Sequence, residues 1–436
     1  MTGFEKRRSG LSRRQALVGM GVALGAPAIL TGRATAANFD PPKGGVLSKA
    51  KLDAIGDYFR NEIATDKIPG AIVYIEQYGK PVFDGYFGVR NVATNEPMTP
   101  DTIFRIYSMT KPVTSVAAMM LIEEGRLKLD DPVAKFIPAF AETKVGVEVK
   151  GEDGQPTLKL EPLKRPILVR DLLLHTSGIT YGFYGDSLVR KAYKAAEIYA
   201  GDFDNAEFVE RIARLPTQEQ PGTLWDYGHS TDVLGRILEI VSGKSLYEFE
   251  KERLFDPLGM KDTGYYVYDK SKWDRIAEPL PKDGDFRTGM VRNPRVWKKW
   301  QSGTGGLVST IRDFSTFARL ILHKGTLDGR QYLKPETFAA MATDHIGPGS
   351  GVARDYFYFP GDGFGFGYGL AVRTDPGNAK PPPPGSLGEL KWDGAGGTYF
   401  IVDPAQDMFM VLMIQTPTER ERIKPALKRM IYDALV

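Results

Sequence analysis

A chain of 436 residues with 42% apolar and 25% charged side chains has ordinary globular composition, and its length suits roughly two to three domain-sized units. It holds no cysteine, which excludes a disulfide framework, a thiolate metal site and a cysteine nucleophile. The formal charge of +3 belongs to residues 1–36, where Lys6, Arg7, Arg8, Arg13, Arg14 and Arg33 face Glu5 alone; the remainder carries −2, with no sign of a nucleic-acid or anionic-membrane partner.

Residues 1–36 read as an export signal. Arg13-Arg14 precedes an apolar run from Ala16 to Leu30, and Ala34-Thr35-Ala36 offers a small-residue cleavage site, a pattern that resembles a twin-arginine signal. At 15 residues the run is shorter than the roughly 20 that span a bilayer, which predicts a periplasmic or secreted protein with no lasting membrane insertion. Pro41, Pro42, Gly44 and Gly45 mark residues 37–46 as a linker.

Leu52, Ile55, Phe59 and Ile63 then outline an amphipathic helix. Ala71–Ile75 and Val82–Phe87, joined through Tyr78-Gly79-Lys80, predict a hairpin at the edge of a sheet. From Val113 to Ile122 apolar residues recur at three- and four-residue spacing, so Ser108 and Lys111 fall on the first turn of a helix. Positions i and i+3 share a helix face, which sets the lysine beside the serine hydroxyl. A serine attacks only when a neighbour takes its proton, and a lysine does so only once burial or nearby positive charge lowers its pKa. Ser48 and Lys51 have the same spacing at what reads as a solvated helix start, so the spacing alone does not define a site.

Further on, Val145–Val149 and Leu158–Leu160 flank Glu152-Asp153-Gly154, a hairpin signal. The stretch from Val169 to Gly259 is helical in pattern, with Gly243 and Gly259 as terminators. Within it Trp225-Asp226-Tyr227-Gly228-His229 stands just before the helix carrying Val233 and Leu234. A phenol presented from that loop can share a proton with Lys111 and deliver one to a leaving alkoxide. Thr310 to Asp313 resembles a capping box at the start of another helix. Residues 347–388 are rich in Gly, Pro and aromatics and include the polyproline loop Lys380–Pro384; Tyr356–Phe359 reads as a packed loop, with pocket lining as the alternative. Strands Leu390–Trp392, Gly397–Val402 and Phe409–Gln415 and a final helix close the chain.

Strands at both ends with helices between them predict an α+β fold: an antiparallel sheet built from both chain ends and flanked by helices, with an inserted mainly helical domain. The sheet domain is expected over 47–111 and 300–436, the helical insertion with its small hairpin over 112–299, and the active site in the cleft between them. Other signatures fall away. There is no Gly-x-Ser-x-Gly; Gly185-Asp186-Ser187-Leu188 spells another esterase signature but lies among helices; Gly243-Lys244-Ser245 lacks the upstream glycine of a phosphate loop. His175, His229, His323 and His345 show no metal-ligand spacing.

Three motifs agree in order. Ser108-Met109-Thr110-Lys111, Tyr227-Gly228-His229 with Gly235 eight residues after the tyrosine, and Trp392-Asp393-Gly394-Ala395-Gly396-Gly397-Thr398 resemble those of the serine β-lactamase-like hydrolases, nearest to the esterases related to class C β-lactamases (the family VIII carboxylesterase type). Leu172–Gly178 and Asp256–Met260 agree, and the resemblance covers about residues 45–420. It implies a β-lactamase/transpeptidase-like fold, no metal or cofactor, Ser108 as the acylated nucleophile, Lys111 and Tyr227 as base and acid, and an oxyanion hole from the backbone N–H groups of Ser108 and Ala395. It also puts His229, Trp392, Asp393 and Gly394 at the substrate. Two departures stand out: the β-lactamases carry Lys-Thr-Gly where this chain has Trp392-Asp393-Gly394, which removes a carboxylate-binding cation, and His229 replaces the Asn of many members. The expected function is hydrolysis of short-acyl or small aromatic carboxylic esters. Acyl transfer, β-lactam or D-alanyl-peptide cleavage on the same machinery, or a non-catalytic binding role, are the alternatives.

Overall fold

Gly70–Gln77 and Met408–Met413 are near-continuous apolar runs, and such runs form strands buried on both faces. They pair antiparallel, Ile72 opposite Met413 and Gln77 opposite Met408, so the two chain ends meet in the sheet interior. The computed structural model describes residues 45–283 and 293–436; the export signal expected over 1–36, and the linker up to residue 44, lie outside them. Around the central pair runs an eight-stranded sheet in the order Phe364–Phe366, Ala371–Arg373, Leu390–Asp393, Tyr399–Asp403, Met408–Met413, Gly70–Gln77, Lys80–Asn91, Glu96–Pro97. Every neighbouring pair is antiparallel.

The antiparallel sheet from both chain ends is thus as expected, but the 70–91 hairpin is not at its edge. Its first strand is covered on both sides, and the edge falls to the two-residue strand Glu96–Pro97.

Successive side chains on a strand point to opposite faces, and this alternation divides the core. Val73, Ile75, Met410 and Leu412 pack with Leu52, Phe59 and Leu427, on the terminal helices Lys49–Ala64 and Arg420–Asp433. Ile72, Phe409, Val411 and Met413 join the larger core of the helices Thr110–Glu123, Ser230–Ser242 and Ile311–Leu322. The Thr110–Glu123 helix is buried continuously from Thr110 to Leu121. A helix enclosed on all sides takes any charged residue near its start out of water with it. Among the described residues no helix is long and apolar enough to cross a membrane.

Leu412 lies opposite both Val73 and Tyr399 and is fully buried. Leu412→Ala should lower stability by about 2–5 kcal/mol in urea denaturation, as large-to-small core changes do. A loss under about 1 kcal/mol would mean that this side chain does not help tie the chain ends together.

Candidate active site

Ser108 does not sit in the helix that follows it. It occupies a 3-10 turn, Tyr107–Met109, and the α-helix begins at Thr110. Tyr107 is held left-handed at φ 46°, a conformation that costs a non-glycine residue on the order of 1–3 kcal/mol and persists only when neighbours enforce it. The neighbours are visible. The Ile106 carbonyl accepts from Thr398 Oγ1 at 3.2 Å, and its N–H donates to the Leu307 carbonyl at 3.0 Å.

The glycine-rich third motif lies directly on this turn. A Cβ on Gly394 would fall 2.4 Å from the Ile106 carbonyl oxygen, and one on Gly396 2.4 Å from the Tyr107 ring. Only bare backbone fits there. The consequence is that Ala395 and Ser108 line the same cleft. Gly394 itself is packed against the nucleophile turn.

Lys111, 1% exposed, is surrounded by acceptors. Its Nζ donates to Ser108 Oγ at 3.1 Å, to the Thr304 carbonyl at 3.0 Å and to the Tyr181 hydroxyl at 3.3 Å. Burial drives its pKa down to about 7, against the opposing pull of the Asp232 and Asp393 carboxylates. Burial also pushes the Tyr227 and Tyr181 phenols well above their usual range. Near neutral pH, therefore, the lysine is the group able to take a proton, while both phenols keep theirs.

Tyr227 meets Lys111 differently from the proton-sharing contact expected. Nζ stands over the phenol ring, 4.4 Å from its centroid, and the phenol that hydrogen-bonds the lysine is Tyr181. The buried Tyr227 hydroxyl completes no hydrogen bond, yet Ser108 and the Trp392 indole lie near enough to favour its phenolate. It points to the serine side of the site, where a leaving alkoxide would form. Its loop is braced from behind. Arg190 pairs with Asp226 at 2.7 Å, and the Trp225 and Tyr227 rings are parallel to within 4°.

The remaining expected contacts divide. His229 is fully buried with both ring nitrogens engaged, Nδ1 on Asp232 at 2.8 Å and Nε2 on the Tyr199 hydroxyl at 2.9 Å. It precedes the Ser230–Ser242 helix with its ring turned into the core beside Phe208, so neither Lys111 nor the cleft receives it. Trp392 is buried behind Tyr227, their ring centroids 5.6 Å apart. Asp393 is partly exposed and held by Lys424 of the C-terminal helix.

The cleft walls come instead from Tyr181, Phe183, Tyr184 and Gly305, none of them singled out from the sequence. Phe357 and Phe359 back Tyr184, with centroids at 5.5 and 5.1 Å, so the 356–359 segment forms a second layer of wall. The available signal was the aromatic run Tyr181-Gly182-Phe183-Tyr184 just after Leu172–Gly178. Ser187, the decoy serine, caps the Leu188–Ala195 helix by accepting the Arg190 N–H and donates to Gln218 at 2.6 Å. Among the described residues no group of His, Asp and Glu could hold a metal ion.

A serine hydrogen-bonded to a buried lysine, two phenols over that lysine and a glycine-rich strand end facing the serine are the parts of a serine hydrolase on an antiparallel sheet. The Beta-lactamase family matches residues 55–432, and the chain belongs to that family. Protein Rv1367c of Mycobacterium tuberculosis is 36% identical over 361 residues, covering 80% of this chain and 86% of that protein. Esterase EstB of Burkholderia gladioli is 29% identical over 409 residues, covering 88% and 95%. Among solved structures, EstCE1, described as a hydrolase with promiscuous acyltransferase activity, matches with a TM-score of 0.71 at 24% identity over 88% of this chain and 99% of its own, a likeness of fold.

If neutral Lys111 is the base, kcat/KM should rise with pH through a midpoint near 7 and level off above it, because protonation below that point removes the acceptor. A pH–rate profile flat from about pH 5 to 9 would contradict the assignment.

Proposed function

We propose that the protein hydrolyses neutral carboxylic esters, with a short-acyl or small aromatic acyl group, through an acyl-enzyme on Ser108. The observation that carries the reading is the 3.1 Å contact between Ser108 Oγ and a lysine whose burial keeps it largely unprotonated at mildly basic pH. Lys111 takes the hydroxyl proton as Oγ adds to the ester carbonyl. The tetrahedral oxyanion accepts the backbone N–H groups of Ser108 and Ala395, each such donor being worth about 10²- to 10³-fold in rate. Tyr227 passes its proton to the departing alkoxide and is reprotonated from the Lys111 ammonium. This leaves Lys111 neutral to take a proton from the water that attacks the acyl-enzyme and to return it to Ser108 Oγ as the acid leaves.

Similarity to Esterase EstB supports ester substrates. The third motif supports neutral ones: it lacks its own cation, and the cations nearby are engaged, Lys424 by Asp393 and Arg420 by the Ala395 carbonyl and Glu421. Arg13-Arg14 and the apolar run behind them support export by the twin-arginine route.

Ser108→Ala should abolish turnover of p-nitrophenyl acetate while leaving the thermal midpoint within a few degrees, whereas undiminished turnover would sink the proposal. Lys111→Ala and Tyr227→Phe should each cost at least ~100-fold in kcat, the scale of lost general acid–base catalysis. Labelling of Ser108 by a fluorophosphonate separates an enzyme from a binding protein on the same scaffold, since binding alone needs no activated serine.

A further inference from the structure

Behind Lys111 lies a polar group that the ester mechanism leaves unused. Asp232, in the first turn of the Ser230–Ser242 helix, is a buried carboxylate with three hydrogen-bond donors on it and one further electrostatic partner. Oδ1 accepts from Ser302 Oγ at 2.6 Å and from the Thr304 N–H at 3.3 Å, and Oδ2 accepts from His229 Nδ1 at 2.8 Å. The fourth interaction is through space, with the Lys111 ammonium. Ser302 Oγ in turn accepts the Gly305 N–H at 3.2 Å. The 302–305 turn therefore hangs on Asp232, and that turn supplies both the Thr304 carbonyl that accepts from Lys111 and the Gly305 backbone of the cleft wall.

His229 belongs to the same assembly. Burial holds its imidazole below the usual range in spite of Asp232, so the ring is neutral. It donates from Nδ1 to Asp232 and accepts at Nε2 from the Tyr199 hydroxyl. Burial alone would raise the Asp232 carboxyl, yet the donors from His229, Ser302 and Thr304 hold it below the ordinary carboxylate range. A buried carboxylate so supplied with donors remains an anion.

We propose that Asp232, fixed by His229 and the Tyr199 hydroxyl, is the positioning residue for Lys111: it supplies the buried counter-charge and anchors the turn that orients the lysine on Ser108. The proposal rests on the reading of Lys111 as the base. The other groups facing Lys111 are Ser108 from the nucleophile turn, Tyr181 and Tyr227 from two loops, His175 beside the Val169–Leu173 helix and Asp393 from the Leu390–Asp393 strand. Of these only Asp393 brings a negative charge, and it is shared with Lys424.

Asp232→Asn tests the counter-charge without dismantling the turn. The amide oxygen still accepts from Ser302 and Thr304, and the amide N–H₂ faces His229 Nδ1, which becomes an acceptor when the ring shifts its proton to Nε2 and donates to Tyr199. Losing the anion makes the lysine easier to deprotonate, so the acidic limb of kcat/KM should move to lower pH by roughly half a unit or more, with KM changed less than ~2-fold. A merely structural residue would lower activity and leave the limb where it was; a limb unmoved within about 0.2 unit, or moved upward, overturns the proposal.

Ser302→Ala, which keeps the anion and releases the turn, is the second variant should Asp232→Asn not fold. It should lower kcat at least ~5-fold with little change in KM, and an unchanged kcat overturns the anchoring role. The rate of Ser108 labelling by a fluorophosphonate against pH gives the same limb without an ester. A shift seen by labelling in a protein that turns over no ester would therefore fail the ester reading alone, and ester turnover dependent on Ser108 with an unmoved limb would fail this one alone.

Discussion

Taking one ammonium group out of water is the constraint on which the rest of the site depends. An uncompensated buried charge is costly, and a lysine responds by giving up its proton at lower pH. Lys111 is enclosed because the helix that carries it is packed on every side, from Thr110 to Leu121. It stays hydrogen-bonded because three acceptors converge on Nζ from the nucleophile turn, the Tyr181 loop and the 302–305 turn. Burial provides basicity, and the acceptors provide direction toward Ser108.

The fold makes that convergence possible by bringing distant stretches together. The two chain ends meet in one sheet, and the strand end at Leu390–Asp393 runs into the glycine-rich turn that lies on Ile106 and Tyr107. The same desolvation that lowers the lysine raises the phenols, so neighbouring groups in one pocket are driven toward opposite roles. The separation follows from placing an amine and phenols in the same low-dielectric surroundings, where the neutral form of each is favoured.

What was legible in the sequence is what periodicity and motif order record. The apolar repeat after Val113 placed the Ser108-Lys111 pair at a helix start, the apolar strand runs at the two ends announced a shared antiparallel sheet, and the position of Tyr227 before its helix put a phenol at the site. What remained hidden depends on packing between segments far apart in the chain. Nothing local to Ser108 announces a 3-10 turn, because the left-handed Tyr107 is imposed by Thr398 and the glycines of the third motif. Nothing local to Tyr181 announces that its hydroxyl reaches a lysine 70 positions earlier. His229 was placed at the substrate by the motif it belongs to, but its ring is turned into the core, where Asp232 and Tyr199 satisfy both nitrogens.

The central claim is that Lys111 is a neutral base near physiological pH, and a direct titration of that one side chain tests it. With 13C-labelled lysine, the Lys111 side-chain methylene resonance, assigned by its disappearance in Lys111→Met, should titrate with a midpoint near pH 7. A midpoint close to the ordinary lysine value of about 10.4 would contradict the claim and leave Ser108 without its base.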